Sequence, residues 1–67
     1  MNDTVIQVDG PPVDDIGKKR EFVRTVTDAA SRLFGLPGQA IVVLLRENKP
    51  ENVGSGGELI LDRHSKD

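Results

Sequence analysis

The chain has 67 residues, nine basic and eleven acidic side chains, a net charge of −2, one histidine and no cysteine, tryptophan or tyrosine. That composition excludes a disulfide framework or a cysteine-based zinc site and leaves His64 without companions for a metal centre. Interspersed charges and only two phenylalanines also argue against nucleic acid as a partner, because no aromatic platform exists for stacking bases.

A chain this short buries only about 60% of its unfolded surface, so its own core is marginal. Without disulfides or metal, association with further copies is the expected remedy. No apolar run approaches the roughly 20 residues of a membrane span, and "MNDTVIQVDG" lacks the basic and apolar regions of a signal peptide. The expectation is a soluble, cytoplasmic protein forming one domain over residues 1–67, with no membrane partner.

"TVIQVDG", residues 4–10, is short, β-branched and partly alternating, with Val5, Gln7 and Asp9 on one face and Ile6 and Val8 on the other. It predicts a strand ended by Gly10-Pro11-Pro12. Asp14 or Asp15 then caps a helix on which Ile16, Phe22, Val23, Val26, Ala29, Ala30, Leu33 and Phe34 form one apolar face. Gly35 stops that helix and Pro37 prevents its resumption.

"AIVVLLR", residues 40–46, is apolar up to Arg46 and suits a strand covered on both faces. One helix covers only one face, which again points to a second copy. Strand, helix, strand in this order is a β-α-β unit, so the fold class is α/β with parallel strands and a right-handed crossover. "GELIL", residues 57–61, reads as a short terminal strand or hairpin arm, and "DRHSKD" as a polar tail.

The glycines of "PENVGSGGEL", residues 50–59, admit two readings. A phosphate loop needs a helix and a Lys-Ser or Lys-Thr pair after it. Here Glu58 follows, whose charge repels phosphate, so a glycine-permitted turn fits better.

Lys18, Lys19 and Arg20 stand in the first turns of the helix, where positive charge opposes the helix dipole. They form either a solvated face or a carboxylate-binding cluster near the end of the first strand. Arg46 is either a surface ion-pair partner, with Glu47 or a neighbour's Glu58, or a carboxylate ligand.

The turn at Gly10-Pro11, "GKKREFVRTVTDAA", "LPGQAIVVLLRE" and above all "PENVGSGGEL" together resemble the 4-oxalocrotonate tautomerase family of the tautomerase superfamily. The resemblance spans about residues 4–63. It implies a β-α-β subunit with a C-terminal hairpin against a neighbouring chain, assembled as a hexamer, a trimer of dimers. It further implies cofactor-free proton transfer on an unsaturated enol or keto acid such as 2-hydroxymuconate. In the family the base is an N-terminal proline, and arginines hold the substrate carboxylate.

This chain departs from that pattern. The family proline corresponds to Thr4 or to Met1 depending on how the first strand is matched, and Asn2 is bulky enough to keep Met1 in place. Pro11-Pro12 and Val42 stand where longer members carry arginines, and Val53 where an aromatic is often found.

Met1 and Thr4 therefore mark the expected catalytic end, and Lys18, Lys19 and Arg46 the expected holders of a small carboxylate substrate. Three arrangements follow: a homo-hexamer using the Met1 amine, a hetero-hexamer with a proline-bearing chain, or a catalytically inactive binding or scaffold protein.

Overall fold

A computed structural model describes residues 4–64. Two strands, β1 (Thr4–Gly10) and β2 (Ile41–Glu47), pair in parallel, and helix α1 (Ile16–Phe34) connects them. The register runs from Thr4 opposite Ile41 to Gly10 opposite Glu47. A side chain near one end of β1 therefore has its neighbours at the same end of β2.

Helix α1 begins and ends by local chemistry. Asp15 is the N-cap, its carboxylate accepting from the Lys18 backbone N–H at 3.1 Å and so satisfying a donor the helix leaves open. At the other end Gly35 adopts φ 66°, a left-handed conformation that costs a side chain energy. The Gly35 and Leu36 N–H groups both return to the Ser31 carbonyl, and the Ser31 hydroxyl donates to the Leu36 carbonyl. A 3₁₀ turn at Gly38–Ala40 then delivers the chain into β2.

The side chains alternate along both strands as a pleat requires. Ile6, Val8, Val43 and Leu45 are half-buried and Ile41 is buried, whereas Val5, Val42 and Leu44 are exposed on the opposite face. The helix contributes Val23, Val26 and Ala30 to the covered side. Its apolar stripe is wider than a two-stranded sheet can cover, so Ile16, Phe22, Ala29, Leu33 and Phe34 stay exposed, Leu33 to 77%. Among the described residues only Ala30 and Ile41 are buried apolar side chains.

After a second 3₁₀ turn at Pro50–Asn52, strands β3 (Gly54–Ser55) and β4 (Glu58–Leu59) form a hairpin. Its two turn residues, Gly56 and Gly57, have φ of 62° and 83°. Two positive φ values in a two-residue loop suit the twist of a hairpin and are readily adopted only by glycine. The glycine segment turns a strand, and the phosphate-loop reading falls away.

Beyond β4 the expectation of a strand through residue 61 and a polar tail is corrected: Ile60–His64 form a short helix, α2. Arg63 explains the change, donating to the Ser55 carbonyl at 3.1 Å and pairing with Glu58 at 3.4 Å. The Ile60 N–H meanwhile bonds the Val53 carbonyl at 2.8 Å. Folding back satisfies these groups, which a longer strand would leave without a third strand to pair with.

Both helix ends should be independently costly to disturb. We expect Gly35→Ala and Asp15→Ala each to lower unfolding stability by about 1 kcal/mol, and together by about 2, because the caps share no contacts. Urea denaturation at fixed protein concentration measures this, and a double variant no weaker than either single would contradict independent capping.

Candidate active site

The C-terminal ends of β1 and β2, the loop after β1 and the first turns of α1 line an open cavity of about 460 Å³. Its walls include Lys18, Lys19 and Arg46, so two residues of the basic run meet the strand-end arginine, while Arg20 lies off this wall. Val8, Pro11, Val13, Phe22 and Leu45 supply an apolar lining. Asp9 and Glu47 complete the wall, and neither was singled out from the sequence as a functional residue.

Each carboxylate is placed by the parallel register. Asp9 lies opposite Arg46, and the Arg46 Nε donates to Asp9 Oδ1 at 2.8 Å. The expected ion-pair partners of Arg46, Glu47 or a neighbour's Glu58, are thus replaced within the chain by Asp9. Only one edge of the guanidinium is engaged, and its two terminal nitrogens bond nothing among the described residues. Both partners are more than half exposed, so the pair adds little stability. Its effect is to aim the arginine.

Glu47 is more deeply engaged. Its Oε2 accepts from Lys19 Nζ at 2.6 Å and from the Val13 N–H at 3.2 Å. Both interactions hold the carboxyl below its ordinary pKa range, the hydrogen bond from Lys19 first and that from Val13 second. With the Asn48 N–H bonded to the Gly10 carbonyl at 2.8 Å, Glu47 ties the β1–α1 loop and the start of the helix to the end of β2. Lys18 lines the same cavity, and its ammonium pairs with no carboxylate among the described residues.

Thr4 lies at the opposite end of the sheet, half-buried and paired with Ile41. Five residue steps along the strand separate it from Asp9, about 17 Å at the usual rise. Thr4 and the three cations of one chain therefore cannot both touch a single small acid. Met1 lies outside the described residues.

The signal for Asp9 was present in the sequence. Once β1 and β2 are taken as parallel, a carboxylate one residue before the end of the first strand faces a basic residue near the end of the second. Glu47 is harder to find, because its partners come from a loop and a helix whose approach depends on tertiary packing.

Glu47 also predicts a pH dependence. Its folded pKa is lowered, so its stabilising contribution is present above the ordinary carboxylate range and is lost as pH falls through the lowered value. Glu47→Gln should therefore be less stable than the parent at pH 7. The difference should shrink well below pH of about 4, where the parent carboxyl also becomes neutral. Chemical denaturation at both pH values checks the sign, and a gap that widens on acidification would refute it.

Residues 5–63 match the family described as "Tautomerase enzyme". Among solved structures, DmpI from Archaeoglobus fulgidus is 48% identical with a TM-score of 0.78, the match covering 87% of this chain and 98% of that one. A 4-oxalocrotonate tautomerase homologue designated TTHB242 is 37% identical with a TM-score of 0.79, over 88% and 94% of the two chains. A putative 4-oxalocrotonate tautomerase from methicillin-resistant Staphylococcus aureus is 29% identical with a TM-score of 0.78, over 88% and 95%. No curated protein matches the chain. Among the described residues no helix is long and apolar enough to cross a membrane.

Proposed function

The chain belongs to the 4-oxalocrotonate tautomerase family of the tautomerase superfamily, and from that premise we propose that it is a cytoplasmic isomerase subunit moving a proton between oxygen and carbon of an unsaturated enol or keto acid. The observation that carries this reading is the apolar cavity whose wall holds Lys18, Lys19 and Arg46. Such a wall suits a small carboxylate with a hydrocarbon body. Cations beside it also stabilise the negative charge that develops on the substrate oxygen during transfer.

The base comes from the amino-terminal end of the chain. An α-amino group has a pKa of about 7.7–8.0 and takes up a proton near neutrality, which the Thr4 hydroxyl does not. That base removes the enol hydroxyl proton, electron density shifts along the unsaturated chain, and the protonated amine returns the proton to carbon. The Met1 amine fills this role in a homo-hexamer, or a proline-bearing partner chain fills it in a hetero-hexamer.

Assembly follows from the distance between the two ends. With Thr4 about 17 Å from Asp9 along the strand, a base at the position of Thr4 is out of reach of its own chain's cavity, and we take it to act at another chain's. The exposed face carrying Val5, Val42 and Leu44 offers the surface on which copies meet. A hexamer built by that contact brings the amino-terminal end of one chain to the cation-lined end of another.

A second reading is a non-catalytic binding subunit. It is favoured by the absence of proline from residues 1–10 and by the internal carboxylates already paired with Lys19 and Arg46.

Ketonisation of 2-hydroxymuconate by the pure chain separates the readings. We expect the natural chain to exceed buffer, and sedimentation to give a mass of six chains. Leu44→Asp should dissociate the assembly and lower the rate by more than about tenfold, since it places a charge on an apolar contact. Turnover only after residues 1–4 are replaced by Met-Pro would assign the base to a partner chain. No turnover in either form would favour the binding subunit, and full activity in a monomer would refute the shared site.

A further inference from the structure

The cavity wall has a charge balance that the proposed reaction does not by itself require. Three cations stand against two carboxylates. Lys19 is held by Glu47 at 2.6 Å, and Arg46 gives its Nε to Asp9 at 2.8 Å. What the wall still offers an anion is the terminal edge of Arg46 and the Lys18 ammonium, a surplus of one positive charge. The rest of the lining is largely hydrocarbon, with Val8, Val13, Phe22 and Leu45.

A ligand with one carboxylate is matched by that surplus, and its remaining carbons lie against the apolar wall. A ligand with a second carboxylate has no second surplus cation on this chain to meet, and the amine we bring from another chain is neutral when it acts as the base. Its far end is left against hydrocarbon, beside Asp9 and Glu47, or in solvent at the cavity mouth, and none of these placements gives it an ionic partner.

We propose that this cavity selects monocarboxylates bearing an apolar tail over dicarboxylates of the same length, and that Asp9 and Glu47 set the selectivity by occupying two of its three cations. The proposal rests on reading the cavity as the carboxylate-holding end of the tautomerase site, and it narrows the substrate class from unsaturated enol acids in general to those with a single carboxylate. Discrimination arises as much from the carboxylates that repel the wrong ligand as from the cations that hold the right one.

Hexanoate and adipate test this without any chemistry, since they share a six-carbon chain and differ by one carboxylate. Each is titrated into the full chain while the backbone amides of Lys18, Lys19, Phe22 and Arg46 are followed by NMR. Hexanoate should bind more tightly by about tenfold, and Asp9→Asn, which frees a second cation, should bring the two ligands to within about threefold.

Glu47→Gln should shift the ratio the same way, giving a second variant should the first fold poorly. The rate ratio of 2-hydroxyhexa-2,4-dienoate to 2-hydroxymuconate should follow the same order. Adipate binding as tightly as hexanoate, no binding of either, or a ratio untouched by both variants would overturn the proposal. Hexanoate preference without turnover would remove the isomerase reading and leave the selectivity standing, whereas turnover with dicarboxylate preference would do the reverse.

Discussion

One helix laid on two strands covers one face of the sheet, and most of the molecule follows from that shortage. Every apolar residue of β2 that points away from α1 is exposed, and so are the flanks of the helix stripe from Phe22 to Leu33. Burial is worth about 25 cal/mol per Å² of apolar surface, so leaving Val5, Val42, Leu44 and Leu33 in water forfeits much of what would stabilise so short a chain. Capping, hairpin turns and the Arg63 contacts each fix local geometry, but none replaces a core. The fold is completed by surface it does not itself supply.

The same shortage shapes the site. Parallel strands put all their C-terminal ends together, which gathers Asp9, Arg46 and Glu47 at one place and leaves the start of β1 at the other. A hairpin of antiparallel strands would have brought the start of one strand beside the end of the next. Here the crossover through α1 forbids it, so the base and the anion holders that we propose would stand at opposite ends of one chain. The proposed association would answer both problems at once, covering apolar surface and joining the two ends.

Much of this was legible in the sequence, and for identifiable reasons. Gly10, Asp15 and Gly35 punctuate the chain chemically, so β1 and α1 fall where turn and capping residues require, and the β-branched run of residues 41–43 admits little but strand. Gly56 and Gly57 announce their turn by the backbone freedom it needs. Helix α2 was not legible, because five residues are too few for periodicity and its stability comes from Arg63 reaching back to the hairpin. In the site the cations were visible as charges against helix or strand preference. Their neutralisation by Asp9 and Glu47 was not, since an ion pair is a property of register and packing rather than of spacing along the chain.

Those two carboxylates differ in what else they do. Asp9 and Arg46 form an exposed cross-strand pair that adds little to stability, so its main consequence is the direction of the guanidinium. Glu47 bonds a helix ammonium and a loop amide through a single oxygen, so the charge that tempers the cavity also closes the connection from β1 to α1. Under the selectivity we propose, fold and ligand choice are therefore separable at Asp9 and inseparable at Glu47. A chain adapting to a different acid could alter the first without cost to its loop. To alter the second it would have to find another acceptor for Val13 and another partner for Lys19.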